Sequence, residues 1–311
     1  MAEDRQARAT RDPPDAASLK ERVAQHLDTL LAAPLTPALY VVATPIGHLS
    51  DITLRALAVL QAADLVYCED TRHSRTLLES FGLSRRLRPY HEHNAEQERP
   101  RILGALAEGR SVALISDAGT PLISDPGFKL ARSAIDEGRQ VISIPGASAT
   151  LAALTSSGLP SDAFLFAGFL PAKSAGRRAR LAELAAVPAT LIFFEAPSRL
   201  ADSLADMAAT LGGTREGAIA RELTKRYEEV KHGSLDELVR WAVEVHPRGE
   251  MVVLVSPPTA REVGDEEIAG RLAEALAAMS VRDASKTVAE ALGVAKARVY
   301  DLALRLKRGG T

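Results

Sequence analysis

The residues best suited to chemistry lie in loops dense in small, polar and turn-forming types. Ser116–Gly127 packs two Gly, two Pro, two Asp and three hydroxyls into twelve residues. Gly lacks a Cβ, and Pro and Asp pin turns, so such a loop lets backbone amides and carbonyls approach a ligand closely. Asp125 is equally suited to cap a helix that opens near Pro126. Ala43-Thr44-Pro45-Ile46-Gly47-His48 and Ile144-Pro145-Gly146-Ala147-Ser148-Ala149-Thr150 have the same character. The latter runs into a helix pattern, and open amides at a helix N-terminus suit a carboxylate or a hydroxyl. Ser148 is also a natural N-cap there. Neither loop has Gly-x-Gly-x-x-Gly spacing, and no Lys follows the glycine, which disfavours a dinucleotide or nucleoside triphosphate site.

A second set of residues could move protons or hold anions. Glu69-Asp70-Thr71-Arg72 follows an apolar run and sets two carboxylates beside a hydroxyl and a guanidinium. The alternative is a helix start, with Asp70 as cap and Arg72 on the surface. His91-Glu92-His93-Asn94 is a polar loop that could meet a nucleic acid or only solvent. Lys173, Arg177, Arg178 and Arg180 follow Pro171. They suit phosphate contacts, or equally a solvated surface. No His/Asp/Glu cluster has metal-ligand spacing, so no metal is expected.

The elements that must carry these loops show in the hydrophobic pattern. Leu39–Ala43, Leu65–Cys68, Val112–Ser116 and Val141–Ile144 are short and apolar throughout, as parallel strands buried on both faces are. Amphipathic stretches Leu54–Ala62, Arg99–Glu108 and Phe128–Glu137 lie between them. Gly109 and Gly138 sit where a left-handed residue would stop a helix. Strand–helix alternation implies an α/β layer with right-handed crossovers, and ligands then bind beyond the carboxyl ends of the strands. After residue 150 the strands Ala163–Phe169, Thr190–Phe194, Gly217–Glu222, Glu228–Gly233 and Met251–Val255 have only two clear helices among them, Arg178–Ala186 and Ser198–Leu211. That predicts a mixed or mainly antiparallel sheet. Beyond Pro257-Pro258, three short helices are expected over Asp265–Ala278, Val281–Leu292 and Lys296–Leu306. The expected layout is an extension over 1–37, disordered over 1–18; α/β domains over 38–149 and 150–257; and a helical unit over 262–311.

Bulk composition sets outer limits. The 311 residues are 46 % hydrophobic and 25 % charged, with a net charge of −2, which excludes a uniformly basic coat but allows a local patch. Residues 282–311 carry seven Lys or Arg against Asp283, Glu290 and Asp301, a local charge of +4. Val288–Leu304 has the look of a helix-turn-helix and could hold phosphates, or else form a packed cap. One cysteine, Cys68, rules out an internal disulfide and fits a cytoplasmic setting. No apolar run reaches about 18 residues, so no membrane span is expected.

Taken together, Thr44–Gly47, Cys68–Arg72, Ser116–Gly127, Pro145–Ser148, Glu195-Ala196-Pro197-Ser198-Arg199 and Arg221-Glu222-Leu223-Thr224-Lys225 resemble, in order over about 38–257, the 16S rRNA cytidine-2′-O-methyltransferases of the tetrapyrrole-methylase superfamily. The chain departs from that pattern at His48, where the family has Asn. The resemblance implies S-adenosylmethionine as cofactor, folded between two α/β domains of tetrapyrrole-methylase type. It implies that Ile46, Thr120, Ile123, Ser148 and Ala149 line the pocket, with Pro45, Gly47, Asp117, Gly119, Pro121, Ser124 and Leu170 close by. Backbone loops suit the donor's amino-acid end, and an apolar wall such as Ile123 and Leu170 suits its adenine. The resemblance also implies 16S rRNA of the small ribosomal subunit as partner, and a homodimer.

Methyl transfer from a sulfonium asks the protein for alignment and a dry site. A ribose hydroxyl is a poor nucleophile, so a nearby base would help. Glu69 or Asp70 is the candidate to position or deprotonate it. Arg72, His91, Lys173, Arg177, Arg199, Lys225, Arg298 and Lys307 are the candidate RNA contacts. Two other functions fit the same loops: methylation of a tetrapyrrole or corrinoid, and non-catalytic RNA binding in assembly. The Glu69–Arg72 motif and the basic tail favour RNA over the first, and the constrained 116–127 loop favours catalysis over the second.

Overall fold

The computed structural model describes residues 16–123, 127–258 and 264–309. Ser124 and the Asp125 cap lie outside the described residues, as do residues 1–15 of the expected disordered start. Residues 16–18 instead open a helix, α1 (Ala16–Ala32), which packs along α2 (Leu54–Ala62).

The first sheet holds β1 (Leu39–Val42), β2 (Leu65–Cys68), β3 (Leu87–Pro89), β4 (Val112–Ile115) and β5 (Val141–Ile144), in the order β3-β2-β4-β1-β5. Every pairing is parallel. The strands read as continuous apolar runs because both faces are covered: Tyr40, Val42, Ala113 and Ile115 enter one core, Leu39, Val112 and Leu114 the other. Around them pack α2, α3 (Thr71–Ser80), α4 (Ala95–Ala107) and α5 (Phe128–Asp136). Gly109 and Gly138 have φ of +77° and +70° and end α4 and α5. Each donates to the carbonyl three residues back while the next residue reaches five back, which closes both helices with a Schellman turn.

The second sheet holds β6 (Phe164–Phe169), β7 (Thr190–Glu195), β8 (Glu216–Arg221), β9 (Glu229–Ser234) and β10 (Met251–Val255), in the order β6-β7-β10-β8-β9. Only β6 and β7 run parallel, joined through α7 (Ser174–Leu184). The alternation is a period of two. Leu191, Phe193, Ile219 and Val253 face the helices α7, α8 (Leu200–Leu211) and α9 (Leu235–Val245). Ile192, Ala218, Ala220, Val252 and Leu254 face α6 (Ala149–Ser156).

Two elements, β3 and α9, correct the sequence reading. Strand β3 is three residues long and carries Arg88 and Pro89, too short and polar to register as a strand. Helix α3 begins behind the Asp70 cap, the helix start that Glu69–Arg72 offered as its alternative. Helix α9 did carry a signal: Ser234 and Glu237 form a capping box.

Residues 264–309 form a separate unit of α10 (Asp265–Leu276), α11 (Val281–Leu292) and α12 (Lys296–Gly309). Its own core is Ile268, Leu272, Ala284, Val288, Val299 and Ala303. Gly293, at φ +64°, turns α11 toward α12. Among the described residues no helix is long and apolar enough to cross a membrane.

Candidate active site

Strand order explains why the loops converge. The adjacent strands β4, β1 and β5 all end at the same edge, so their three exit loops meet there. Thr44 and Gly119 pair through two backbone bonds, Thr44 N–H to Gly119 O at 2.8 Å and the reverse at 3.1 Å. The Thr44 hydroxyl donates to Ser116 O at 3.2 Å, and the Thr120 hydroxyl to Ala147 O at 3.3 Å. Gly119 has φ +77°, and a Cβ there would lie 3.2 Å from the Ile46 side chain. Gly146 is held as tightly, since its Cβ would come within 3.0 Å of the Ala43 Cβ.

These loops form one wall of a cavity of about 430 Å³, a size suited to a small ligand. Ile46, Ala118, Gly119, Thr120 and Ile123 line it from the β1 and β4 exits, and Ser148, Ala149 and Thr150 from the start of α6. The Ser148 side chain caps α6 by accepting from Leu151 N–H at 3.4 Å. The Thr150 hydroxyl is buried and has no hydrogen-bond partner among the described residues. The facing wall comes from the second sheet: Phe169, Phe194 and Glu195, then Ala220 and Leu223, then Gly249–Val252. Phe194 packs edge-on against Phe166 and Phe169, with ring centres 4.8 and 5.6 Å away.

Six of the expected pocket residues thus reach the cavity: Ile46, Gly119, Thr120, Ile123, Ser148 and Ala149. Pro45, Gly47, Asp117 and Pro121 stand behind that wall and do not line it. Leu170 is buried in the helix-side core of the second sheet. A register shift between Phe166 and Phe169, where Gly168 has φ +67°, breaks the alternation of β6 and turns Phe169 instead into the wall position. The second-sheet wall was missed, although the period-two alternation of β7, β8 and β10 marks Phe194, Ala220 and Val252 as sharing a face.

The acceptor-side candidates gather at the β2 exit, next to β4. Asp70 caps α3: its carboxylate accepts Arg72 N–H at 2.8 Å and pairs with the Arg72 guanidinium at 3.0 Å. The Arg72 hydrogen bonds hold its carboxyl below the usual range. Glu69 goes the other way. Burial raises its pKa, and the nearby Asp117 charge adds to that, while His91 opposes it. The His91 backbone N–H donates to Asn94 Oδ1 at 2.8 Å, and its ring Nδ1 is buried without a partner among the described residues. Glu69 is therefore the carboxyl that holds its proton more readily, and Asp70 is a helix cap with an exposed ion pair.

The expected RNA cations divide sharply. Lys173 is exposed at the head of α7, and Lys307 is exposed on α12. Arg177 is not a surface cation. It is 4 % exposed, pairs with Asp206 at 2.7 Å and donates to Ala172 O, so its charge is spent inside the fold. Arg199 is largely committed as well: it donates to Leu170 O at 2.7 Å and lies 3.3 Å from the buried Glu195 carboxylate. Lys225 pairs with Glu222 at 3.0 Å and Glu250 at 3.1 Å. Arg298 bonds Asp265 at 2.6 Å within the C-terminal unit. At the first loop, His48 N–H donates to the Thr224 hydroxyl at 3.0 Å and its ring accepts from Ser50 N–H.

Residues 38–239 match the model of the tetrapyrrole (corrin/porphyrin) methylases, and residues 262–307 that of the RsmI C-terminal HTH domain. The "Ribosomal RNA small subunit methyltransferase I" of Mesorhizobium japonicum is 56 % identical over 277 residues, 89 % of this chain and 94 % of that protein. The chain belongs to the ribosomal RNA small subunit methyltransferase I family of the tetrapyrrole methylases. The family's member from Escherichia coli O157:H7 is 48 % identical over 86 % of this chain and 94 % of its own. Among solved structures, the cobalt precorrin-4 methyltransferase of cobalamin biosynthesis shares the tetrapyrrole-methylase fold, with a TM-score of 0.54 at 17 % identity over 71 % of this chain and 95 % of its own.

Proposed function

We propose that the chain transfers a methyl group from S-adenosylmethionine to the ribose 2′-hydroxyl of a cytidine in the 16S rRNA of the small ribosomal subunit. Family membership supports the reaction class. The observation that carries the donor is the cavity itself. Its walls are largely apolar, the first residues of α6 line it, and Thr150 carries a buried hydroxyl with no hydrogen-bond partner among the described residues. That set fits a donor with a polar amino-acid end and a flat base. Ile46, Gly119, Thr120, Ile123, Ser148 and Ala149 would hold it, with Thr150, Phe169 and Phe194 added from the structure.

S-adenosylmethionine, when bound, supplies a methyl group already activated on a sulfonium. The chain's residues then align the acceptor, keep water out and hold one proton. The apolar wall of Phe194, Ala220 and Val252 excludes water. Glu69, its pKa raised, takes the proton of the attacking hydroxyl as general base. Exposed cations, among them Lys173 and Lys307, hold phosphates and set register without reading sequence. The same reading makes the working assembly a homodimer in the cytoplasm, with the donor seated between α/β domains over 38–149 and 150–257.

Two measurements test it. Calorimetric titration should show one S-adenosylmethionine site per chain. Labelled methyl should then pass to small ribosomal subunits and not to a corrinoid precursor. Transfer to the corrinoid alone would replace the RNA reading with small-molecule chemistry.

A further inference from the structure

The loop after β8 is strained in a way that packing alone does not require. Glu222 and Thr224, neither of them glycine, have φ of +50° and +65°. Such a backbone conformation persists only where its surroundings hold it. The surroundings here are specific. Glu222 Oε1 accepts the Glu250 backbone N–H at 3.0 Å and the Lys225 ammonium at 3.0 Å. The Glu222 N–H in turn donates to Glu250 O at 2.9 Å, and Lys225 also reaches the Glu250 carboxylate at 3.1 Å. Gly249, at φ +93°, lies against this carboxylate so closely that a Cβ would sit 2.4 Å from the Glu222 carboxyl carbon. On its other side the loop meets the β1 exit. A Cβ on Gly47 would fall 2.5 Å from Lys225 Cγ and 2.8 Å from the Thr224 hydroxyl.

Glu222 does not line the cavity, yet it bonds to residues that do. Gly249, Glu250 and Leu223 are cavity walls, and Gly47 sits next to Ile46, another wall residue. From this geometry we propose that Glu222 is a positioning residue for the methyl donor: its carboxylate fixes the Gly249–Met251 wall and, through Lys225 and Thr224, sets the spacing of that wall from the Ile46–Gly47 loop. The inference rests on the reading of this cavity as the donor site. Two glycines are needed, at 47 and 249, because the latch closes too tightly for any Cβ.

The test uses the full-length protein. Glu222→Gln is nearly isosteric, so the fold is retained while the charge that holds Lys225 is lost. The dissociation constant of S-adenosylhomocysteine by calorimetry should rise about tenfold, the scale of one charge-assisted hydrogen bond. KM for the donor should rise with it, while kcat and KM for small ribosomal subunits stay near wild type. Glu222→Ala, which removes the whole carboxylate, should give the same split with a larger rise in the donor constants. A lower melting temperature with unchanged donor affinity in both variants would make Glu222 a purely structural residue and overturn the proposal. Wild-type protein that binds no S-adenosylhomocysteine would instead overturn the donor-site reading beneath it.

Discussion

Asp70 and Asp117 meet across the parallel sheet: the Asp70 backbone N–H donates to Asp117 Oδ1 at 3.0 Å. The β2–β4 register pairs Cys68 with Ile115, so the residues two positions beyond each strand face one another. This bond joins the Glu69–Arg72 motif to the β4 exit loop that lines the cavity. It also places the Asp117 charge near Glu69.

Asp117→Asn keeps an oxygen for the Asp70 N–H but removes that charge. Glu69 then loses one of the causes that raise its pKa, burial remaining the larger. The acid limb of the single-turnover pH profile should move to lower pH. A limb that stays in place would dissociate Glu69 from the titration.

Glu69→Gln separates function from stability. In the proposed role of general base Glu69 would contribute about 10²–10⁴-fold to the rate, and single-turnover methylation should fall by that order. Stability should move the other way. The folded state holds the Glu69 pKa above its unfolded value, so it favours the protonated acid and loses stability as pH rises through the raised value. The variant should therefore melt higher than wild type at neutral pH. The gain should vanish below the ordinary carboxylate range near about pH 4.

Much of this arrangement was legible in the sequence. Continuous apolar strands such as Val112–Ile115 and the glycine stops at 109 and 138 are local signals, and the structure follows them. The loops at the β1, β4 and β5 exits were visible as turn-rich runs for the same reason. What stayed hidden depends on partners distant in sequence. Nothing local distinguishes Arg177, whose side chain is buried by Asp206 twenty-nine residues away, from the exposed Lys173. Phe169 and Leu170 are both apolar, and the register shift at Gly168, against the simple period of two, decides which one faces the cavity. Glu222 is held by Glu250 and lies against Gly249, while Thr224 and Lys225 lie against Gly47, and no window around residue 222 contains these partners.

Arg177→Ala should act on the fold and not on RNA. Removing it leaves the Asp206 carboxylate, whose side chain is 14 % exposed, with the Ser174 hydroxyl but without its guanidinium partner. Breaking a buried pair in this way costs about 3–5 kcal/mol. Urea denaturation should show that loss, while the salt dependence of RNA binding stays as in wild type. A shallower salt slope with normal stability would return Arg177 to the RNA surface.

Thr150→Val exchanges the unpartnered hydroxyl for a methyl group of nearly the same shape. No hydrogen bond within the described residues is lost, so thermal stability should hold or rise. Donor affinity by calorimetry should weaken about 3–10-fold, the value of one neutral hydrogen bond. Unchanged affinity would remove Thr150 from the donor's contacts.

The cavity between the β1, β4 and β5 exits and the second sheet is proposed to serve ribose methylation of small-subunit rRNA. Mass-spectrometric mapping of 2′-O-methylated ribose in 16S rRNA, from cells with and without this gene, tests it most directly. One 2′-O-methylcytidine should disappear without the gene, return with the wild-type copy and stay absent with Glu69→Gln. An unchanged methylation map in the cells lacking the gene would contradict the account.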